Sequence, residues 1–95
     1  MFGKPKLDMI DIKRYLLDNL REFNYNVGNE TDSSVIVQIL INSRVIEVRM
    51  MLHKNKRLIV DIEDSYFLLR IPRGEFKEIN EYRQFIMSFI QKLKQ

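Results

Sequence analysis

Along the middle of the chain, apolar residues occupy every second position. On either side of that stretch they recur every three or four. The first pattern marks a strand with one face buried, the second an amphipathic helix. Met9, Ile12, Leu16, Leu20 and Phe23 form one helical stripe. Asp8 is a suitable N-cap, and Asp11 lies in the first turn, where negative charge suits the helix dipole. Residues 1–7 read as a loose arm. The run Asn24–Asn29 is expected to stop the helix, with polar loop continuing to Ser34.

Period two then predicts four strands, at 33–42, 44–53, 57–63 and 66–71, with turns at Asn42-Ser43, Lys54–Lys56 and Asp64-Ser65. Turns this short join antiparallel neighbours, and each loop length sets a register. The first pairs Ile41 with Arg44 and hence Val37 with Val48. The second pairs Leu52 with Leu58 and Val48 with Ile62, and the third pairs Ile62 with Phe67. Across the sheet these registers align Val35, Met50, Val60 and Leu69, then Val37, Val48, Ile62 and Phe67, then Ile39 and Ile46. Every member is apolar, and a one-residue slip in any hairpin would put polar side chains into this face.

Pro72 and Gly74 end the sheet. A second helix is predicted over 75–94, with Glu75 and Glu78 near its start and Lys92 and Lys94 near its end. Phe76, Ile79, Ile86, Ile90 and Leu93 make its inner stripe, widened by Tyr82, Phe85 and Phe89. The fold class expected is therefore α+β: a single domain over 1–95 in the order α-β-β-β-β-α, a four-stranded antiparallel meander with both helices on one face.

The opposite sheet face is mixed. Ile36, Leu40, Val45, Met51, Ile59 and Leu68 share it with Gln38, Glu47, Arg49, Asp61 and Glu63. A solvated antiparallel face carries few large aliphatic residues, and a contiguous apolar patch of a few hundred Å² often marks an interaction site. The expected interaction face is Ile36, Leu40, Arg49, Met51, Ile59, Asp61 and Leu68. A homodimer is its simplest use, with an unidentified protein partner the other. Arg49 and Asp61 fall directly opposite one another, as a pair that would set alignment. Glu47 and Glu63 also face each other, a costly arrangement unless Arg49 neutralises it. The last helix offers a rival surface at Phe85, Met87 and Phe89.

Composition narrows the chemistry. The chain has 95 residues, no Cys and one His, which excludes disulfides, thiol nucleophiles and Cys- or His-rich metal sites. Gly3, Gly28 and Gly74 match no phosphate-binding loop, and Ser33 and Ser34 have no nearby base. Glu47, Asp61 and Glu63 resemble the acidic strand pairs of metal-dependent nucleases, but the accompanying Lys is missing. No catalytic residues, no cofactor and no metal site are expected, so the protein reads as non-enzymatic. Apolar runs are far shorter than the ~20 residues that span a bilayer, and no apolar segment follows the N-terminus. An intracellular protein without a membrane partner is expected. The lack of Ala and abundance of Ile are the usage of an AT-rich genome, such as those of archaea and their viruses.

Net charge is +3, a weak bias toward anionic partners. The cations concentrate at the hairpin tip, His53-Lys54-Asn55-Lys56-Arg57, with Arg44 on the same ribbon. Nucleic-acid binding through Arg44, Lys54, Lys56 and Arg57 is thus the alternative function. In element order the chain resembles double-stranded RNA-binding domains, but Glu75-Phe76-Lys77-Glu78 stands where those carry a Lys cluster. Its layout is similar to frataxin-like proteins, whose acidic ridge is here interrupted by Lys13, Arg14 and Arg21. Both likenesses stop at the order of elements, so neither assigns a family.

Overall fold

A computed structural model describes residues 7–95. Of the predicted N-terminal arm, residues 1–6 lie outside the described residues, whereas Leu7 is buried in the core. Helix α1 spans Met9–Asp18, and the Asp8 side chain caps it by accepting from the Ile10 amide at 2.9 Å. It is shorter than its apolar stripe. Asn19 closes the last turn, with its side-chain amide donating to the Tyr15 carbonyl at 2.8 Å. Leu20 is fully buried from the turn that follows.

The strands are β1 Asn24–Gly28, β2 Ser34–Ile41, β3 Arg44–Leu52, β4 Leu58–Asp64 and β5 Gly74–Phe76. They form one antiparallel sheet in sequential order. The two central registers are those read from the loop lengths: Val37 opposes Val48, which opposes Ile62, and Leu52 opposes Leu58. Asn42 and Ser43 both have positive φ, 47° and 68°, the geometry of a two-residue type I′ turn. The second hairpin closes through His53 and Arg57, with Lys56 at φ 62°.

The α+β fold with both helices on one face stands, but the ends of the sheet differ from expectation. Residues 24–28, expected as helix stop and loop, form β1 and pair with β2 through Tyr25–Ile39 and Val27–Val37. Residues 66–71 are not a strand. The chain leaves β4 at Asp64, runs irregularly to 73, and returns as β5, which pairs Gly74 with Val60 and Phe76 with Leu58. The sheet therefore has five strands, and Phe67, expected in the core, is exposed.

Helix α2 spans Ile79–Leu93, starting four residues later than expected because Glu75 and Phe76 belong to the sheet. The inner sheet face is Val35, Val37, Ile39, Ile46, Val48, Met50, Leu58, Val60 and Ile62, all buried. Against it α1 presents Met9, Ile12 and Leu16, and α2 presents Tyr82, Ile86, Phe89, Ile90 and Leu93. Tyr82 and Phe89, read as flanks of the α2 stripe, are its largest fully buried residues. Ile79, Phe85 and Phe76 are partly buried around them. No helix among the described residues is long and apolar enough to cross a membrane.

Gly74 is required by close approach rather than by its backbone angles. A Cβ there would sit 2.4 Å from the Phe76 ring and 3.1 Å from the Phe85 ring. Those rings lie 5.1 Å apart, and Phe76 also packs edge-on against Tyr82. Gly74→Ala is expected to displace Phe76 and lower stability by about 1–3 kcal/mol. A thermal melt checks this, and an unchanged midpoint would show that the ring yields without cost.

Candidate interaction surface

Alternation sends every second residue of β2, β3 and β4 away from the helices. The registers therefore align Ser34, Met51 and Ile59, then Ile36, Arg49 and Asp61, then Gln38, Glu47 and Glu63, and finally Leu40 with Val45. No helix among the described residues covers this face. Met51 is 50% exposed and Leu40 43%, while Ile36, Val45 and Ile59 are half-buried.

A polar band crosses the middle. Arg49 Nε donates to Glu47 Oε2 at 2.8 Å, and its terminal nitrogen donates to Glu63 Oε2 at 3.0 Å. Gln38 reaches Glu47 Oε1 at 3.5 Å. The guanidinium relieves the repulsion between the opposed glutamates, as anticipated. The anticipated Arg49–Asp61 ion pair is not formed among the described residues, although the two oppose each other in the ladder. Arg49 is turned to Glu47 and Glu63 instead, and Asp61 acts on it only as a nearby charge. The Glu47 hydrogen bond, then the charges of Glu47 and Glu63, raise its pKa further above the ordinary arginine value. Three carboxylates (Glu47, Asp61, Glu63) against one guanidinium leave the band with two net negative charges. Apolar ground lies on both sides, Ile36, Met51 and Ile59 toward one end and Leu40 with Val45 toward the other.

At the Leu40 end, the segment after β4 adds to the surface, and one buried side chain organises it. Asp64 continues the inward row beyond Ile62, opposite Ile46, and is only 4% exposed. Its two oxygens accept from Arg44 Nε at 3.0 and 3.1 Å, from the Tyr66 amide at 3.0 Å and from the Leu69 amide at 2.8 Å. Burial pushes this carboxyl up, but the two amides and Arg44 outweigh that and hold it below the usual carboxylate range. Ser65 exchanges hydrogen bonds with the Val45 backbone, and Tyr66 Oη donates to the Ser43 carbonyl. Phe67 is held at φ 57° and is 75% exposed. A bulky residue in the left-handed region is uncommon, and here it sits between two further exposed apolar residues, Tyr66 and Leu68.

Of the seven residues expected to form an interaction face, the structure places six on the outward face of the sheet: Ile36, Leu40, Arg49, Met51, Ile59 and Asp61. Leu68 is exposed but lies off the sheet, because Asp64 binds the Tyr66 and Leu69 amides of the segment expected as the fourth strand. The rival helix surface reduces to Met87, since Phe85 is half-buried and Phe89 fully so. The unit of Asp64, Tyr66 and Phe67 is not expected from the alternation. One sign of it is present in the chain: an aspartate in an inward slot of an otherwise apolar face, with Arg44 beginning the adjacent strand.

The expected basic cluster divides. Arg44 is spent on Asp64 at one end of β3, and the hairpin tip lies at the other, roughly 27 Å away along nine strand residues. Arg57 pairs with Glu75 at 3.5 Å. Lys54 and Lys56 remain exposed at the tip. Among the described residues no three His, Asp or Glu side chains converge as a metal ion would need.

No protein-family model, curated protein or solved structure matches the chain.

Proposed function

We propose that the chain is a small non-enzymatic interaction protein that docks a protein partner on the outward face of its sheet. The observation that carries this reading is the uncovered face itself, with Met51 and Leu40 exposed on either side of a net-negative band. Apolar burial supplies affinity in such contacts, and charge supplies alignment. A second copy laid face to face would set two negative bands against each other. A partner carrying a basic side chain between apolar ones complements both features, and Asp61, which has no ion pair among the described residues, is the acceptor it would meet.

The test uses two extended synthetic peptides, one alternating leucine with arginine and one alternating leucine with glutamate. The basic peptide is expected to bind and to shift the amide resonances of Leu40, Met51 and Ile59. Met51→Ser, which removes the apolar contact without altering the charge of the face, should weaken it about tenfold, or ~1.4 kcal/mol, without changing the fold. Equal binding of the acidic peptide, or shifts confined to the helical side, would overturn the reading.

A second reading, nucleic-acid binding at the hairpin tip, rests on Lys54 and Lys56, which are exposed beyond the end of the sheet. It requires duplex affinity that falls steeply with salt. Affinity that is absent at low salt, or indifferent to salt, removes it.

A further inference from the structure

The two edges of the sheet are unlike. One ends in β5, only three residues long and preceded by Pro72, which has no amide hydrogen to offer. Short edge strands and proline are recognised protections against pairing with another chain. The other edge is β1, Asn24-Tyr25-Asn26-Val27-Gly28, all five residues of which are exposed. It contains no charge, no proline and no partner on its outer side among the described residues.

Tyr25 and Val27 point to the same side as Ile39 and Val37, toward the helices, yet remain 36% and 39% exposed. The helical layer stops short of this strand. Asn24, Asn26 and Gly28 point to the outward side, level with Leu40, Gln38 and Ile36.

We infer that β1 is the seam of a homodimer, pairing antiparallel with β1 of a second copy about a twofold axis at Asn26. The strand is self-complementary in that register. Tyr25 of each copy falls opposite Val27 of the other, an aromatic with a β-branched residue, twice. Pairs of this kind stabilise a ladder by about 0.2–1 kcal/mol each. Asn24 falls opposite Gly28, and Asn26 opposite itself, so no like charges meet anywhere along the seam. The outward face, with its two net negative charges, lacks this property, so the second copy belongs at the edge. A five-residue seam is about 17 Å long, short of a standard interface, so the dimer forms and dissociates with concentration. The two five-stranded sheets would join into one, with both outward faces on the same side. This inference stands apart from the docking reading, because β1 lies beyond the residues that reading uses.

Sedimentation equilibrium from about 10 μM to about 1 mM, a range set by the weak class of interface, tests it. The mass should rise from one chain toward two. Asn26→Lys and Asn26→Glu, at an exposed position, should each weaken dimerisation about fivefold or more by placing like charges across the axis. Mixed in equal amounts, the two variants should recover parental affinity. Amide exchange at residues 24–28 of the unaltered protein should slow as its concentration rises, a readout that needs no variant. A single-chain mass throughout would overturn the inference. So would parental dimerisation in both Asn26 variants, or a dimer abolished by Met51→Glu and untouched at Asn26.

Discussion

Replacing Asp64 with alanine is expected to cost about 3 kcal/mol of folding stability, roughly 12–20 °C in melting temperature for a domain of this size. The loss has two sources. Arg44, 17% exposed, would keep its charge in a largely desolvated position without a partner, and the amides of Tyr66 and Leu69 would lose their acceptor. Pairing Asp64→Leu with Arg44→Met should recover much of the stability, because apolar residues of similar volume can replace a buried ion pair. The pair of changes should not recover the conformation of 65–69, since leucine accepts no hydrogen bond. Amide exchange at Tyr66 and Leu69 would then be fast although the protein melts normally. A single-variant midpoint equal to the parent's would show that the pair does not hold this end of the sheet.

The same carboxylate sets a pH dependence. Its folded pKa lies below its unfolded one, near 4 for an ordinary aspartate. Its contribution is therefore complete above the unfolded value and is lost as pH falls through the folded one. Asp64→Asn should be less stable at neutral pH and should show a shallower decline on acidification. Parallel acid limbs in the two proteins would contradict this.

The second large effect is expected at Tyr82. This side chain is fully buried where α1, α2, β3 and β5 meet. Its hydroxyl donates to the Ile12 carbonyl at 2.6 Å and approaches the Met50 sulfur at 3.5 Å. Its ring packs edge-on against Tyr15 and Phe76. Tyr82→Ala removes the ring and should cost about 3–5 kcal/mol, a sizeable part of the stability of a small domain. Tyr82→Phe keeps the ring and should cost about 1 kcal/mol for the lost hydrogen bond.

Burial, and to a lesser degree Tyr15, raises the Tyr82 phenol above its ordinary value. The folded state therefore keeps a proton that the unfolded chain releases above about pH 10. The contribution is whole below that pH and declines as pH rises toward the folded value. Denaturant melts above pH 10 should show the parent losing stability faster than Tyr82→Phe. Equal losses would place the phenol in contact with water.

The middle of the sheet is legible in the sequence because its information is local. Each hairpin loop has a length that permits one register, and only that register keeps Val35, Val37, Ile46, Val48, Val60 and Ile62 on one side. The outward rows follow from the same registers, so alternation alone groups Met51, Ile59, Arg49 and Asp61. The Asp8 cap and the middle of each helical stripe are equally readable, although Leu20 and Phe23 fall beyond the end of α1 and Phe76 belongs to β5. The Arg49–Asp61 contact is not, since opposition in a ladder says which residues are near and leaves open where a long guanidinium turns.

What the sequence determined by itself is therefore the central three strands, the two helices and the side of the sheet that faces away from them. Period and loop length act between neighbours in the chain, and no distant contact competes with them there. The tertiary structure alone decided the margins. Asn24–Gly28 has poor strand propensity and becomes β1 because β2 offers a free edge with amides and carbonyls to satisfy. Residues 66–71 alternate well and yet form no strand, because the buried Asp64 carboxylate, neutralised by Arg44 from the neighbouring strand, binds the amides of Tyr66 and Leu69 itself. Both outcomes turn on a hydrogen-bonding partner supplied by another part of the fold, and local pattern along the chain contains no term for it.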